Sequence, residues 1–199
     1  GYTVTAVVAG HRDGVLPVGI NGNTTLDFRL DPLAARTSFG PGQYRVGADI
    51  PAGRYYSDPN DGCHYQRVRS FGGTNGEAIT DNFVQFNAAQ WIVDLSASDA
   101  GFVTDANCNT WFTTQREGLK VTITPGMWVV GAQITPGSYR TDSSAPGCYW
   151  QRLSNFGGAT EAIIANNLTN SAGPQIVTIA STDVGFSSNV ECGTWLRTP

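Results

Sequence analysis

Chemistry in this sequence begins with four cysteines, at positions 63, 108, 148 and 192. Two similar stretches hold two each at equivalent places. Duplication therefore makes Cys63 with Cys108 and Cys148 with Cys192 the natural pairing among three connectivities. Zinc would favour a close C-x2-C spacing, which is absent. The expected chemistry is oxidation to two disulfides, with buried free thiols as the alternative. Closing a loop of roughly 45 residues would stabilise each small module by a few kcal/mol, and it implies an oxidising, extracytoplasmic setting.

The remaining reactive groups point to scaffold more than to catalysis. Arg67 and Arg152 recur together with Glu77 and Glu161. They could grip a ligand, but an internal ion pair fastening two strands is the stronger reading. Gln66 and Gln151 recur as well and fit bonds to backbone. Asp99 and Asp183 each stand two residues before a glycine, where a turn uses the carboxylate to bind nearby N–H groups. The loop Asp58-Pro59-Asn60-Asp61-Gly62 is rich in oxygen donors but lacks a bidentate Glu, and the second copy offers only Asp142 and two serines, so no metal is expected. His64 becomes Tyr149 in the second copy and His11 lies elsewhere, so no general base is kept. G-x-S-x-G, H-E-x-x-H and P-loop runs are absent, and no enzyme or cofactor is expected. Tyr65 and Trp150, beside Arg67 and Arg152, are the candidate ligand-binding residues. Flat aromatic faces next to amides suit sugars, although small disulfide domains also use aromatics as core.

The elements that must position these groups are a tandem repeat. Gly62-Cys63-His64-Tyr65-Gln66-Arg67 returns as Gly147-Cys148-Tyr149-Trp150-Gln151-Arg152, and Phe71-Gly72-Gly73 as Phe156-Gly157-Gly158. Phe102, Cys108 and Trp111 are answered by Phe186, Cys192 and Trp195. Single-residue insertions fall only in Gly/Pro/Asn/Ser segments, as loops tolerate. Each copy reads as β-rich. Strands are expected over 44–48 and 54–57, and buried strands over 91–95 and 175–179. Segments 77–84 and 161–168 are ambiguous between a helical turn and a strand, with strand favoured. Phe102, Trp111, Phe186 and Trp195 should close the cores around the disulfides.

Composition bounds the rest. Among 199 residues only 14% are charged against 40% hydrophobic, and Lys120 is the sole lysine of twelve basic residues. The net charge of -4 carries no basic run, so there is no electrostatic footprint for nucleic acid or an anionic membrane. No stretch approaches the ~18 apolar residues of a membrane span. The chain opens directly on strand-like Tyr2-Thr3-Val4-Thr5 without Met, so processing or truncation upstream is expected.

The combined motifs, from Val46-Gly47 through Ile50-Pro51-Ala52-Gly53 and the cysteine segment to Cys108-Asn109-Thr110-Trp111, and again to Cys192-Gly193-Thr194-Trp195, resemble a repeat of secreted and surface-anchored bacterial proteins of actinobacterial type. Asn109 departs from the Gly at 193. That resemblance implies an extracellular or cell-surface location and no assigned enzymatic activity. Strands are also expected over 2–9, 15–20 and 24–30; this opening resembles the last strands of a carboxypeptidase regulatory-like β-sandwich, with the upstream strands missing.

The expected architecture is all-β. Residues 1–36 form an incomplete sandwich and linker, followed by disulfide-stapled sandwich or barrel-like repeats over 37–114 and 115–199. The function expected is a non-catalytic structural or adhesive surface module, self-assembling through strand addition at the N-terminal segment, with a homo-oligomer or neighbouring surface domains as partners. The alternative is an accessory module of a secreted hydrolase that binds carbohydrate or peptide, which exposed, coplanar rings at Tyr65 and Trp150 would favour.

Overall fold

The computed structural model describes residues 2–6, 14–18, 36–59, 62–72, 77–83, 89–115, 118–142 and 144–199. Near the start, β1 (Tyr2–Ala6) pairs antiparallel with β2 (Gly14–Val18), Val4 opposite Leu16. The strand expected over 24–30 lies outside the described residues.

The first repeat holds β3 (Ser38–Phe39), β4 (Gly42–Arg45), β5 (Gly53–Ser57), β6 (His64–Val68), β7 (Ala78–Phe83), β8 (Ile92–Leu95), β9 (Gly101–Thr104) and β10 (Trp111–Phe112). They form two four-stranded antiparallel sheets, β3-β10-β5-β8 and β4-β9-β6-β7. The second repeat reproduces this strand for strand: β11 (Thr122–Ile123), β12 (Gly126–Val129), β13 (Gly137–Thr141), β14 (Cys148–Leu153), β15 (Ile163–Thr169), β16 (Ile176–Ile179), β17 (Gly185–Ser188) and β18 (Trp195–Arg197). Its sheets run β11-β18-β13-β16 and β12-β17-β14-β15. The fold is all-β: among the described residues the helical segments are three short 3-10 turns.

Each repeat closes its own core between its two sheets. Phe102 meets Trp111 edge-on at 5.3 Å, as Phe186 meets Trp195 at 5.5 Å. These two indole N–H groups each find a hydroxyl, Trp111 on Thr104 at 2.9 Å and Trp195 on Ser188 at 3.1 Å, so neither of the two donors is stranded. Both cystines, Cys63–Cys108 and Cys148–Cys192, lie fully buried in these clusters, in the pairing duplication implied.

Two expectations change in detail. The ambiguous segments are strands β7 and β15, but in the second repeat a 3-10 turn over Thr160–Ala162 precedes the strand, so both readings hold in part. The segment 175–179, expected to be buried, instead alternates exposed and buried, because among the described residues nothing packs on one face of β16.

Candidate functional site

Arg67 on β6 sets its guanidinium on Asp99, Nε to Oδ2 at 2.7 Å and Nη2 to Oδ1 at 2.8 Å. Arg152 on β14 repeats this with Asp183 at 2.7 and 2.9 Å, and the Asp183 bond raises the arginine's pKa. Both carboxylate side chains are 1% exposed. Each also takes a turn N–H, from Ser96 at 2.9 Å and Ala180 at 2.8 Å. A buried bidentate pair of this kind orders the turn and fastens it to a strand. The arginines thus do form ion pairs, but with Asp99 and Asp183, not with Glu77 and Glu161. The reason is register: a bulge follows Arg67, and the Arg69 N–H, not that of Arg67, bonds the Glu77 carbonyl at 2.8 Å.

Tyr65 and Trp150 stand in different cores. Tyr65 is 2% exposed, its ring 5.3 Å from Trp111, and burial raises its phenol pKa far above the ordinary value. Trp150, half-buried, stacks on Phe186 at 6.5 Å. His64 Nε2 lies 2.6 Å from Asp81 Oδ1, both exposed, while His11 is outside the described residues. The close trio Cys63, Asp105 and Cys108 offers no thiolate, because its sulfurs are joined. The oxygen-rich loop 58–62 is described only in part. Among the described residues no nucleophile, base and orienting group converge.

What the structure does assemble is a seam between the repeats. Across it Tyr56, Ile92, Val129, Leu153 and Phe156 form a third buried cluster. Arg54 on β5 and Asp94 on β8 pair across strands, Nε to Oδ1 at 2.7 Å and Nη2 to Oδ2 at 2.9 Å. Phe156 of the second repeat closes on this pair. Its ring lies 4.7 Å from the Arg54 guanidinium carbon, its N–H donates to Asp94 Oδ2 at 2.9 Å, and its carbonyl accepts from the Asp94 N–H at 3.0 Å. Burial opposes the charge on Asp94, but the Arg54 and Phe156 bonds outweigh it and lower the pKa. Arg67 Nη1 adds a bond to the Gly157 carbonyl at 2.6 Å. At Gly158 the φ of +80° favours glycine, and the Asn82 side chain approaches closely, its Nδ2 2.9 Å from where a Cβ would lie. Further along, Met127 N–H donates to the Gln90 carbonyl at 3.1 Å.

Beside this latch the seam opens into a groove of about 350 Å³, with Asn82, Phe83 and Trp91 on one side and Met127, Tyr149 and Gln151 on the other. It continues into a neighbouring hollow of about 290 Å³ that shares Asn82, Met127, Tyr149 and Gln151.

Both sandwiches match one family model, described as the Rv1352-like extracellular domain, over residues 36–112 and 120–196. The chain belongs to that family. No curated protein shows a match. The Rv1352-like domains therefore coincide with the two cystine-stapled sandwiches, and the family's extracellular description agrees with the redox setting the cystines require. The match leaves the opening residues uncovered, and a kinship with carboxypeptidase regulatory-like domains is not shown. No helix among the described residues is long and apolar enough to cross a membrane.

Within this Rv1352-like pair, Arg54, Asp94 and the docking role of Phe156 went unread in the sequence. A signal existed. At the same register the second repeat has Ser138 opposite Thr178, hydroxyl to hydroxyl at 3.1 Å, so a whole cross-strand pair differs between copies while Phe-Gly-Gly is kept.

Proposed function

We propose that this chain is a non-catalytic structural or adhesive module of an extracellular protein, and that its two domains work as one stiff unit. The observation carrying this reading is the latch of Arg54, Asp94 and Phe156, which adds charge-assisted and backbone hydrogen bonds to a shared apolar cluster. Two domains joined by a linker alone would move independently. NMR relaxation on the intact chain tests it: one rotational correlation time for both domains is expected, and two distinct shorter times would refute it.

Self-association through the N-terminal strands is a second reading, supported by the β1–β2 ribbon. Pro17 removes a backbone donor from β2, which suits an edge strand, so strand addition falls to the side of β1 that no strand among the described residues occupies. A two-stranded ribbon is marginal alone and gains from further strands. Sedimentation velocity across concentrations should show association that weakens in Val4→Pro; a chain monomeric throughout removes the reading.

A further inference from the structure

The floor of the seam groove is a single rung of the second domain's sheet. Met127 on β12 stands opposite Ser187 on β17, Ser187 opposite Gln151 on β14, and Gln151 opposite Asn166 on β15. Residues paired in this way present their side chains on the same face. Two places along β14, Tyr149 joins them, its hydroxyl accepting from Gln151 and from Asn166 Nδ2 at 2.9 Å.

The facing wall comes from the first domain, and it holds two donors with nothing to bond. Trp91 Nε1 and Asn82 Nδ2 are buried without a partner, and Trp91 is 8% exposed overall. A buried donor left unpaired costs about 1–3 kcal/mol. Thr80 Oγ1 and Trp150 Nε1, which do not line the groove, are buried without a partner as well, but only a donor beside the groove can be met by an acceptor that a bound ligand brings as well as by an ordered water. Among the described residues the groove's one charged lining residue is Asp81, already within 2.6 Å of His64, and neither Lys nor Arg lines it. An anionic ligand would find no countercharge.

We propose that this inter-domain groove binds a neutral oligosaccharide. With a small side-chain shift that uncovers them, Trp91 Nε1 and Asn82 Nδ2 donate to sugar hydroxyls, which in turn donate to the Gln151 amide oxygen. The C–H faces of a sugar ring pack on Tyr149 and Phe83. The groove volume falls in the usual range for small-ligand sites, about 300–1,000 Å³. The site needs both domains docked, since floor and wall belong to different copies. On the first domain the same rung carries Gln66 opposite Asp81, and Gln66 is not among the described residues that line the groove, so it serves as a control.

The test is an array of neutral, sialylated and sulfated glycans and short peptides probed with the full chain, then calorimetric titration with the best neutral glycan. Binding to neutral glycans is expected, weakened at least tenfold by Gln151→Ala and by Trp91→Phe, which deletes the N–H but keeps a ring, and unchanged in Gln66→Ala. Should Trp91→Phe fail to fold, the exposed-face change Gln151→Ala decides. Absence of neutral-glycan binding, binding confined to anionic glycans or peptides, or neutral binding indifferent to Gln151→Ala would overturn the proposal. Stiffness of the pair is read separately by relaxation, so either idea can fail alone.

Discussion

β8 and β16 hold the same place in two copies of one sandwich, yet Ile92 on β8 is 0% exposed and Ile176 on β16 is 67% exposed. The strands do not differ in kind; they differ in what covers them. β8 and β5 of the first domain receive Phe156, Leu153 and Val129 of the second, while the matching face of the second domain receives nothing among the described residues. The same contrast runs the other way: Phe71 is 42% exposed where Phe156 is 2%. The contact is thus head-to-tail, a geometry that could in principle repeat without closing.

Substitutions at the two faces that carry no partner domain among the described residues show how repetition is discouraged. Where Val129 enters the seam, the first domain has Arg45, held by Asp49 at 3.0 Å on an exposed face. The buried counterpart of Asp49 is Gln133, whose amide oxygen takes the Val129 N–H at 2.9 Å just as Asp49 takes the Arg45 N–H at 2.8 Å. One turn device is charged where wet and neutral where buried, as the cost of burying an unpaired charge requires. Arg140 and the Ser138–Thr178 pair likewise replace Tyr56 and Arg54–Asp94. The outer faces behave as caps, like the polar ends of other repeat proteins.

The largest way to probe the comparison is through the staples. Replacing either cystine by a pair of serines should cost about 2–5 kcal/mol in denaturant melts, similarly for both domains; a large inequality would show that the seam, not the core, sets stability. Next, Phe156→Ala should cost about 3–5 kcal/mol and split one calorimetric transition into two, whereas Phe71→Ala should cost less than about 1 kcal/mol because its ring is already half in water. Equal effects would dissolve the distinction between the faces.

Asp94→Asn should cost about 1–3 kcal/mol by leaving Arg54 without its carboxylate. The pH dependence follows from the sign of the shift. The folded Asp94 pKa lies below its unfolded value near ~3.9, so its contribution is complete above about pH 4 and is lost as pH falls through the folded value. The stability gap between wild type and Asp94→Asn, measured by urea melts, should therefore hold steady from about pH 7 to 5 and narrow below about pH 4. The smallest effect is expected at Asn109, where φ is +58° and the matching Gly193 has +66°. Asn109→Gly should relieve strain, lose the 3.1 Å bond to the Pro59 carbonyl, and stabilise by less than about 1 kcal/mol in thermal melts.

Much of the fold was legible because its signals are local. A flanking turn stretch marked β5, an apolar run marked β8, the copied cysteine segment marked β6 and β14, and the copied cysteines indicated their own partners. The retained Asp99 and Asp183 were read as turn residues, and they are, but their pairing with Arg67 and Arg152 depends on a bulge that spacing does not reveal. Gln66 and Gln151 were read as backbone partners; Gln151 instead stands on an open sheet face with its amide on Tyr149. Tyr65 and Trp150 looked alike as candidate ligand rings; Tyr65 is buried against Trp111 at the edge of the groove, and Trp150 is half-buried on Phe186.

By itself, the sequence determined the repeated all-β unit, its two cystines and its extracellular setting, since period, turn residues and duplicated cysteines are properties of neighbouring positions and of copies. Only the tertiary structure decided which face of each unit is covered, which arginine holds which carboxylate, and where a groove opens. Those depend on burial between segments far apart in the chain, and an isoleucine at the same place in two matching strands carries no mark in itself of whether another domain will come to rest on it.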